Sequence, residues 1–163
     1  MAGALILGGF AAAEQWRERL DLLGQLRQMM YHFMNQILYA NAALSDALGE
    51  TGKRFEGDAA AFFNEIAKRS RAERERAFSE IWEEEAEKML RSVSMGKQDR
   101  ENLLALGRQL GFADRSMQER TLLFYLEQTD ESMEHLRCEQ ETRTKLFRCL
   151  GMTAGLFLMV LLA

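Results

Sequence analysis

Apolar residues recur at helical spacing through most of the chain. Between Leu20 and Leu48, the positions Leu23, Leu26, Met30, Phe33, Ile37, Ala40, Leu44 and Ala47 alternate steps of three and four. This is a heptad seam, with Gln25, Arg27, Gln28, Asn35 and Gln36 off it. It predicts one helix ended by Gly49 and Gly52. Such a seam serves either as the core stripe of a bundle or as a contact with a second chain. Lys53 to Gly57 reads as a polar loop, and Asp58 as the cap of a helix over Ala59–Ser70. Phe78, Ile81, Trp82, Ala86, Met89 and Val93 predict a further helix over Arg71–Val93. Ser92, Ser94 and Gly96 mark a break, and Leu103, Leu104, Leu106 and Leu110 define a helix from about Gln98 to Leu110, ended by Gly111. Asp114 then caps a last helix with no breaker before Gly151 and with Met117, Leu122, Leu126, Met133 and Leu136 turned inward. Arg137 to Lys145 is almost wholly polar, so that helix leaves the bundle there as a solvated stalk. No segment alternates with period two. The fold class predicted is all-α: an antiparallel bundle of about five to six helices.

The two ends differ from the middle. Cys149 to Ala163 carries no charge, while Arg137, Arg143, Lys145 and Arg148 lie just before it. A terminal apolar run with a basic flank on one side reads as a C-terminal transmembrane anchor over 149–163. Its fifteen residues reach about 22 Å as a helix, short of the roughly 30 Å hydrocarbon core. Leu146 and Phe147 extend it if Arg148 snorkels. The competing reading is a buried core helix. Met1 to Ala13 is also uncharged, and its first basic residues, Arg17 and Arg19, follow rather than precede it, the wrong order for a secretory signal. It reads as a short apolar membrane segment, spanning or interfacial. The charges place residues 14–148 in the cytoplasm as one helical domain tethered at both ends.

Composition narrows the function. Charged residues are 28% and hydrophobic ones 47% of 163, so the chain folds rather than staying disordered. It has no proline, which favours long helices. A net charge of −4 gives no general attraction for nucleic acid. Cys138 and Cys149 stand about 16 Å apart on one helix and cannot pair within the chain.

No enzyme is legible. His32 and His135 lack a carboxylate three residues before them, so the Glu-x-x-His pair of di-iron bundles is absent. There is no HExxH, Walker or GxGxxG pattern. Neither cofactor, metal nor small-molecule substrate is expected. The charges of the Arg71–Val93 segment run against its helix dipole: Arg71, Arg74 and Arg76 crowd the start and Glu80, Glu83, Glu84, Glu85 and Glu87 the rest. The basic edge reads as a solvated face or as a docking surface for an acidic partner.

The run Leu106-Gly107, Leu110-Gly111, Asp114 and Gln118 resembles a signature of the stage III sporulation protein AB family. Leu150-Gly151, Gly155 and the aliphatic tail, the apolar start, Arg17, Arg19 and Leu20, and the mid-chain Trp82 fit the same family. The resemblance implies a membrane protein of endospore-forming bacteria, part of a channel complex between mother cell and forespore. It implies a location in the mother-cell membrane facing the forespore. Its helical domain would be similar to the cytoplasmic domain of the type II secretion F protein. By that analogy the chain is a non-enzymatic platform that docks a secretion-type ATPase, stage III sporulation protein AA, and other membrane components of the complex. The expected contact residues are Arg71, Arg74 and Arg76 on the basic edge, and Gly107, Gly111, Asp114 and Gln118 at the corner. Gly107 is expected to let its helix approach the last one, and Gly111 to take a left-handed turn. A self-associating membrane scaffold built on the Leu23–Ala47 seam is the alternative.

Overall fold

A computed structural model describes the backbone of residues 2–162 and the side chains of residues 8–162. Six α-helices follow in order: α1 Ala2–Leu38, α2 Leu44–Arg54, α3 Asp58–Ala72, α4 Phe78–Ser92, α5 Lys97–Leu110 and α6 Arg115–Leu162. There is no strand among the described residues. The all-α bundle with one long C-terminal helix is as the apolar spacing predicts.

α1 and α6 form an antiparallel pair. Trp16 Nε1 donates to the Leu136 carbonyl at 2.9 Å, Arg27 pairs with Asp130, and Arg115 bonds Asn41. The loops therefore sort to two poles. At one, Gln25 bonds the Glu56 carbonyl of the α2–α3 loop, and Arg19 abuts Gly96 of the α4–α5 loop. At the other lie the α1–α2 loop, the α3–α4 turn and the α5–α6 corner, linked by Arg115–Asn41 and by Gly111 against Phe78. The free end of α6 leaves from the first pole, which we call proximal. The second is distal.

The seam on α1 is real but shorter than predicted. Leu23, Leu26, Met30, Phe33 and Ile37 are buried. α1 then stops at Leu38, Ala40 lies exposed in the loop, and Leu44 and Ala47 belong to α2. Asn41 makes the reversal with φ 54°, a left-handed conformation that asparagine tolerates. Gly49 and Gly52 do not end the helix. They lie inside α2, buried against α3, where Gly52 sits over Asn64 and Gly49 over Ala67 and Arg71. Gly57, not Asp58, occupies the N-cap of α3, with φ 95°.

The predicted helix over Arg71–Val93 is two elements. α3 runs on through Ala72, and Glu73 to Ala77 form a turn before α4. The break removes the conflict with the helix dipole. Arg69 and Arg71 fall in the last turn of α3, and Glu80 in the first turn of α4. Each charge thereby faces the end of the helix that favours it.

Trp82 centres the core. It is fully buried, packed edge-on against Phe62 with ring centroids 5.0 Å apart and tilted against Phe78 and Phe63. Its Nε1 donates to the Leu103 carbonyl at 2.9 Å. Burying an indole of roughly 200 Å² contributes about 5 kcal/mol. A smaller cluster of Leu23, Met133 and Leu136, with Trp16 and Leu20 on its flank, extends the α1–α6 contact toward the proximal pole.

α6 continues for 48 residues without a break. Leu122, Tyr125, Leu126, Met133 and Leu136 face the bundle, while Met117, expected there, is half exposed at 50%. From Arg137 to Leu162 every residue is exposed. The stalk is thus a single helix standing in solvent. Its apolar end is the one described helix long and apolar enough to cross a membrane, and none of that stretch is covered by the bundle. A buried core helix is excluded for it, and membrane association follows. Of the apolar N-terminal segment 1–13, the side chains of residues 1–7 lie outside the described residues. The rest continues α1 alongside the stalk.

Candidate functional site

The seven residues singled out in the sequence come from α3, the α3–α4 turn, α5 and α6 with their joining corner, and the fold carries all of them to the distal half. Arg71 closes α3 and Arg74 and Arg76 lie in the α3–α4 turn. Gly107 and Gly111 end α5, and Asp114 and Gln118 begin α6. Gly111 touches Phe78 and Ser79 at the start of α4, which joins the corner to the turn.

The corner is built locally. Asp114 Oδ1 accepts the Met117 amide at 2.9 Å, an N-cap bond that satisfies one orphan donor of α6. Gln118 Nε2 reaches back to the Leu110 carbonyl at 3.4 Å. Gly111 has φ −67° and ψ −24°, right-handed geometry open to any residue, so the left-handed turn expected there is absent. A Cβ at Gly111 would stand 3.4 Å from Phe78, ordinary van der Waals contact, so the corner packs on α4 there without excluding a methyl group. Gly107 packs on Trp82 of α4, not on α6, and a Cβ there would overlap the indole. The two glycines therefore press α5 onto α4.

The basic edge is mostly occupied by intramolecular pairs. Arg71 Nη2 lies 2.8 Å from Asp46 Oδ1 and so clamps α3 to α2. Arg76 spans Glu73, Glu80 and Glu84. Arg69, within the basic run but not among the seven expected contact residues, is the hub: it donates to Glu73 and Glu84 at 2.8 Å and to the buried Glu85 at 2.9 Å. Bonds to Arg76 and then Arg69 hold the Glu84 carboxyl down to about 2, and those to Arg69 and then Arg76 lower Glu73. The network staples the C-terminus of α3 to α4. Arg74 alone of the three is exposed without an ion pair among the described residues.

The pole also exposes aromatic side chains that the spacing did not flag. Tyr39 and Phe112 are each 84% exposed, in the two distal loops that Arg115 and Asn41 tie together. For Phe112 the available signal was a large apolar residue between two predicted helices; Tyr39 lay inside the helix predicted from Leu20 to Leu48 and gave none. His32 is structural: its Nδ1 lies 3.0 Å from the Thr51 hydroxyl, and burial followed by Arg54 pushes its pKa down. No group of three His, Cys, Asp or Glu side chains suited to a metal occurs among the described residues. The Leu23–Ile37 seam is consumed by the bundle's own core and offers no apolar stripe to a second chain.

The family model for Stage III sporulation protein AB matches residues 1–163. The chain belongs to that family. The Stage III sporulation protein AB of Bacillus subtilis (strain 168) is 27% identical over 157 residues, covering 94% of this chain and 90% of that one. A solved structure of Stage III sporulation protein AB superposes with a TM-score of 0.69 at 22% identity, over 77% of this chain and 98% of that one, a likeness of fold. The residues on which the resemblance was read build the α5–α6 corner and seat it on Trp82. Membership implies a role in the sporulation channel, a secretion-like complex, through contacts with its other components.

Proposed function

We propose that the chain is a membrane platform whose distal pole docks a secretion-type ATPase, stage III sporulation protein AA, in the mother-cell cytoplasm. Residues 14–148 form the cytoplasmic body, 149–163 the transmembrane anchor, and 1–13 a second apolar segment entering the same mother-cell membrane that faces the forespore. The observation that carries this reading is the placement of all seven candidate residues in the half opposite the anchor. α6 spans from Arg115 at that pole to Arg148 at the anchor, about 50 Å of continuous helix. A partner too large to approach the bilayer surface meets the body at that distance.

Within the pole, Arg71, Arg76, Gly107, Asp114 and Gln118 shape the surface through the contacts they make inside the chain. Arg74, Tyr39 and Phe112 offer free charge and free apolar area to a partner. Exposed aromatics and an unpaired arginine on one pole match the composition of an interface hot spot. The test uses the full-length chain in vesicles and the purified ATPase. Arg74→Glu with Phe112→Ser is expected to weaken binding at least tenfold while the helical content stays unchanged. Binding unaltered by both substitutions would remove this pole as the docking surface.

A further inference from the structure

Above Trp16 the α1–α6 pair opens. A cleft of about 560 Å³ separates the two helices, in the range that holds a small ligand. Its α1 wall is apolar, made by Phe10, Ala13 and Trp16, and the Trp16 N–H is already spent on Leu136. Its α6 wall presents Arg143, Thr144 and Phe147. Phe10 and Phe147 are 71% and 73% exposed, so neither helix covers the other's aromatic ring.

The two walls are out of step along the membrane normal. The uncharged stretch of α1 ends at Ala13, level with Arg143, whereas that of α6 begins at Cys149. Six residues of helix, about 9 Å, separate Arg143 from the apolar run, which puts its guanidinium at the headgroup layer. From Thr142 to Leu162 the charged residues are Arg143, Lys145 and Arg148, all positive. Arg143 makes no ion pair with any described residue. An apolar wall facing one that carries an unpaired arginine at the bilayer surface matches a ligand that is apolar along one side and anionic at its head.

We propose that this cleft binds one anionic phospholipid, with its phosphate at Arg143 and its upper acyl chain against Phe10, Phe147 and the ring of Trp16. The lipid fills the opening between the helices and so fixes the angle at which the body stands on the membrane. The inference rests on the reading of α6 as a membrane anchor.

The chain has two tryptophans, and Trp82 is shielded in the core, so quenching by lipid reports Trp16. Full-length protein is reconstituted in vesicles of phosphatidylcholine mixed with phosphatidylglycerol, with acyl-chain bromine on one lipid or the other at equal mole fraction. Flotation is measured on the same samples. Brominated phosphatidylglycerol is expected to quench Trp16 as though enriched about fivefold, the worth of one basic residue near an anionic surface. Arg143→Gln is expected to abolish the excess, and Ala13→Phe to exclude both lipids, with flotation unchanged. Equal quenching by the two lipids, or none, from protein that floats overturns the lipid site and leaves the anchor standing; a second helix filling the cleft would give that result. Protein that floats with neither vesicle overturns the anchor reading and the site together.

Discussion

The indole of Trp82 lies in the space that a side chain at position 107 would need. Its N–H is held by the Leu103 carbonyl one turn earlier on α5, so the ring cannot slide aside without giving up a buried hydrogen bond. Gly107→Ala is therefore expected to destabilise the protein by about 1–3 kcal/mol, the usual cost of overpacking a filled core. Urea unfolding of the full-length chain in detergent measures it. Combining Gly107→Ala with Trp82→Phe should cost less than the two single changes added together, because the smaller ring vacates the contested space. Full additivity would mean that the two positions do not share it.

Gly49 provides the opposite sign. A Cβ there would stand 3.5 Å from Ala67 and 3.0 Å from an Arg71 nitrogen, at the end of a side chain that can shift. Alanine is better than glycine inside a helix by about 1 kcal/mol. Gly49→Ala is expected to be neutral or to stabilise by up to about 1 kcal/mol, against the clear loss at position 107. Gly52→Ala should fall between them, since its Cβ overlaps the movable Asn64 side chain but also stands 3.1 Å from the Asn64 amide nitrogen. The order of the three unfolding midpoints is the check.

These glycines also show what the sequence could and could not disclose. Leucine-glycine pairs at 106–107 and 110–111 announced a tight corner, and the corner exists. Their partner was not legible, because nothing in the local pattern says that the glycine face of α5 meets α4 rather than α6. Gly49 and Gly52 looked like terminators, glycine's common office at a helix end, whereas both lie inside α2 where it packs on α3, and only Gly52 meets α3 closely enough to resist a side chain. The true end of α1 carries no glycine or proline: Tyr39 to Ala43 contains three alanines, and the need of the chain to fold back overrides their helix preference. The turn at Glu73–Ala77 left a clue in the charges. Arginines at the start of a helix were the wrong sign for its dipole, and they mark the end of α3 instead. The exposed stalk and apolar tail were plain from polarity alone.

The network around Arg69 makes stability depend on acid. Glu73 and Glu84 have folded-state values below the ordinary 4.5, Glu84 at about 2. A carboxylate with a lowered folded value binds protons more readily when unfolded, so its contribution is complete above pH 4.5 and is lost as the pH falls toward 2. The unfolding midpoint should drop between pH 5 and about 2.5 in the native chain. Arg76→Gln, which removes the first partner of Glu84, should lower the midpoint at pH 7 and flatten that drop. Parallel curves for the two proteins would mean that the pairs are too well screened to matter.

Arg69 itself carries the larger consequence. Glu85 is buried, and its nearest other cation, Lys88, lies 3.7 Å away with an exposed side chain. Arg69→Met keeps the aliphatic stem but strips the Glu85 carboxylate of its direct donor, at a cost of about 1–3 kcal/mol for a buried charged group left under-satisfied. Adding Glu85→Gln should recover part of that loss, because the amide brings no charge to neutralise, while Glu85→Gln alone in the native background should destabilise. Arg76 alone then ties the turn at residues 73–77 to α4, so the damage is expected to concentrate at the distal pole. Hydrogen exchange reads this directly. Amides of Glu73 to Ile81 should exchange faster in Arg69→Met, and those of Leu122 to Leu136 on α6 should keep their protection. Uniform loss across both segments would mean that the network stabilises the whole bundle and not the pole alone.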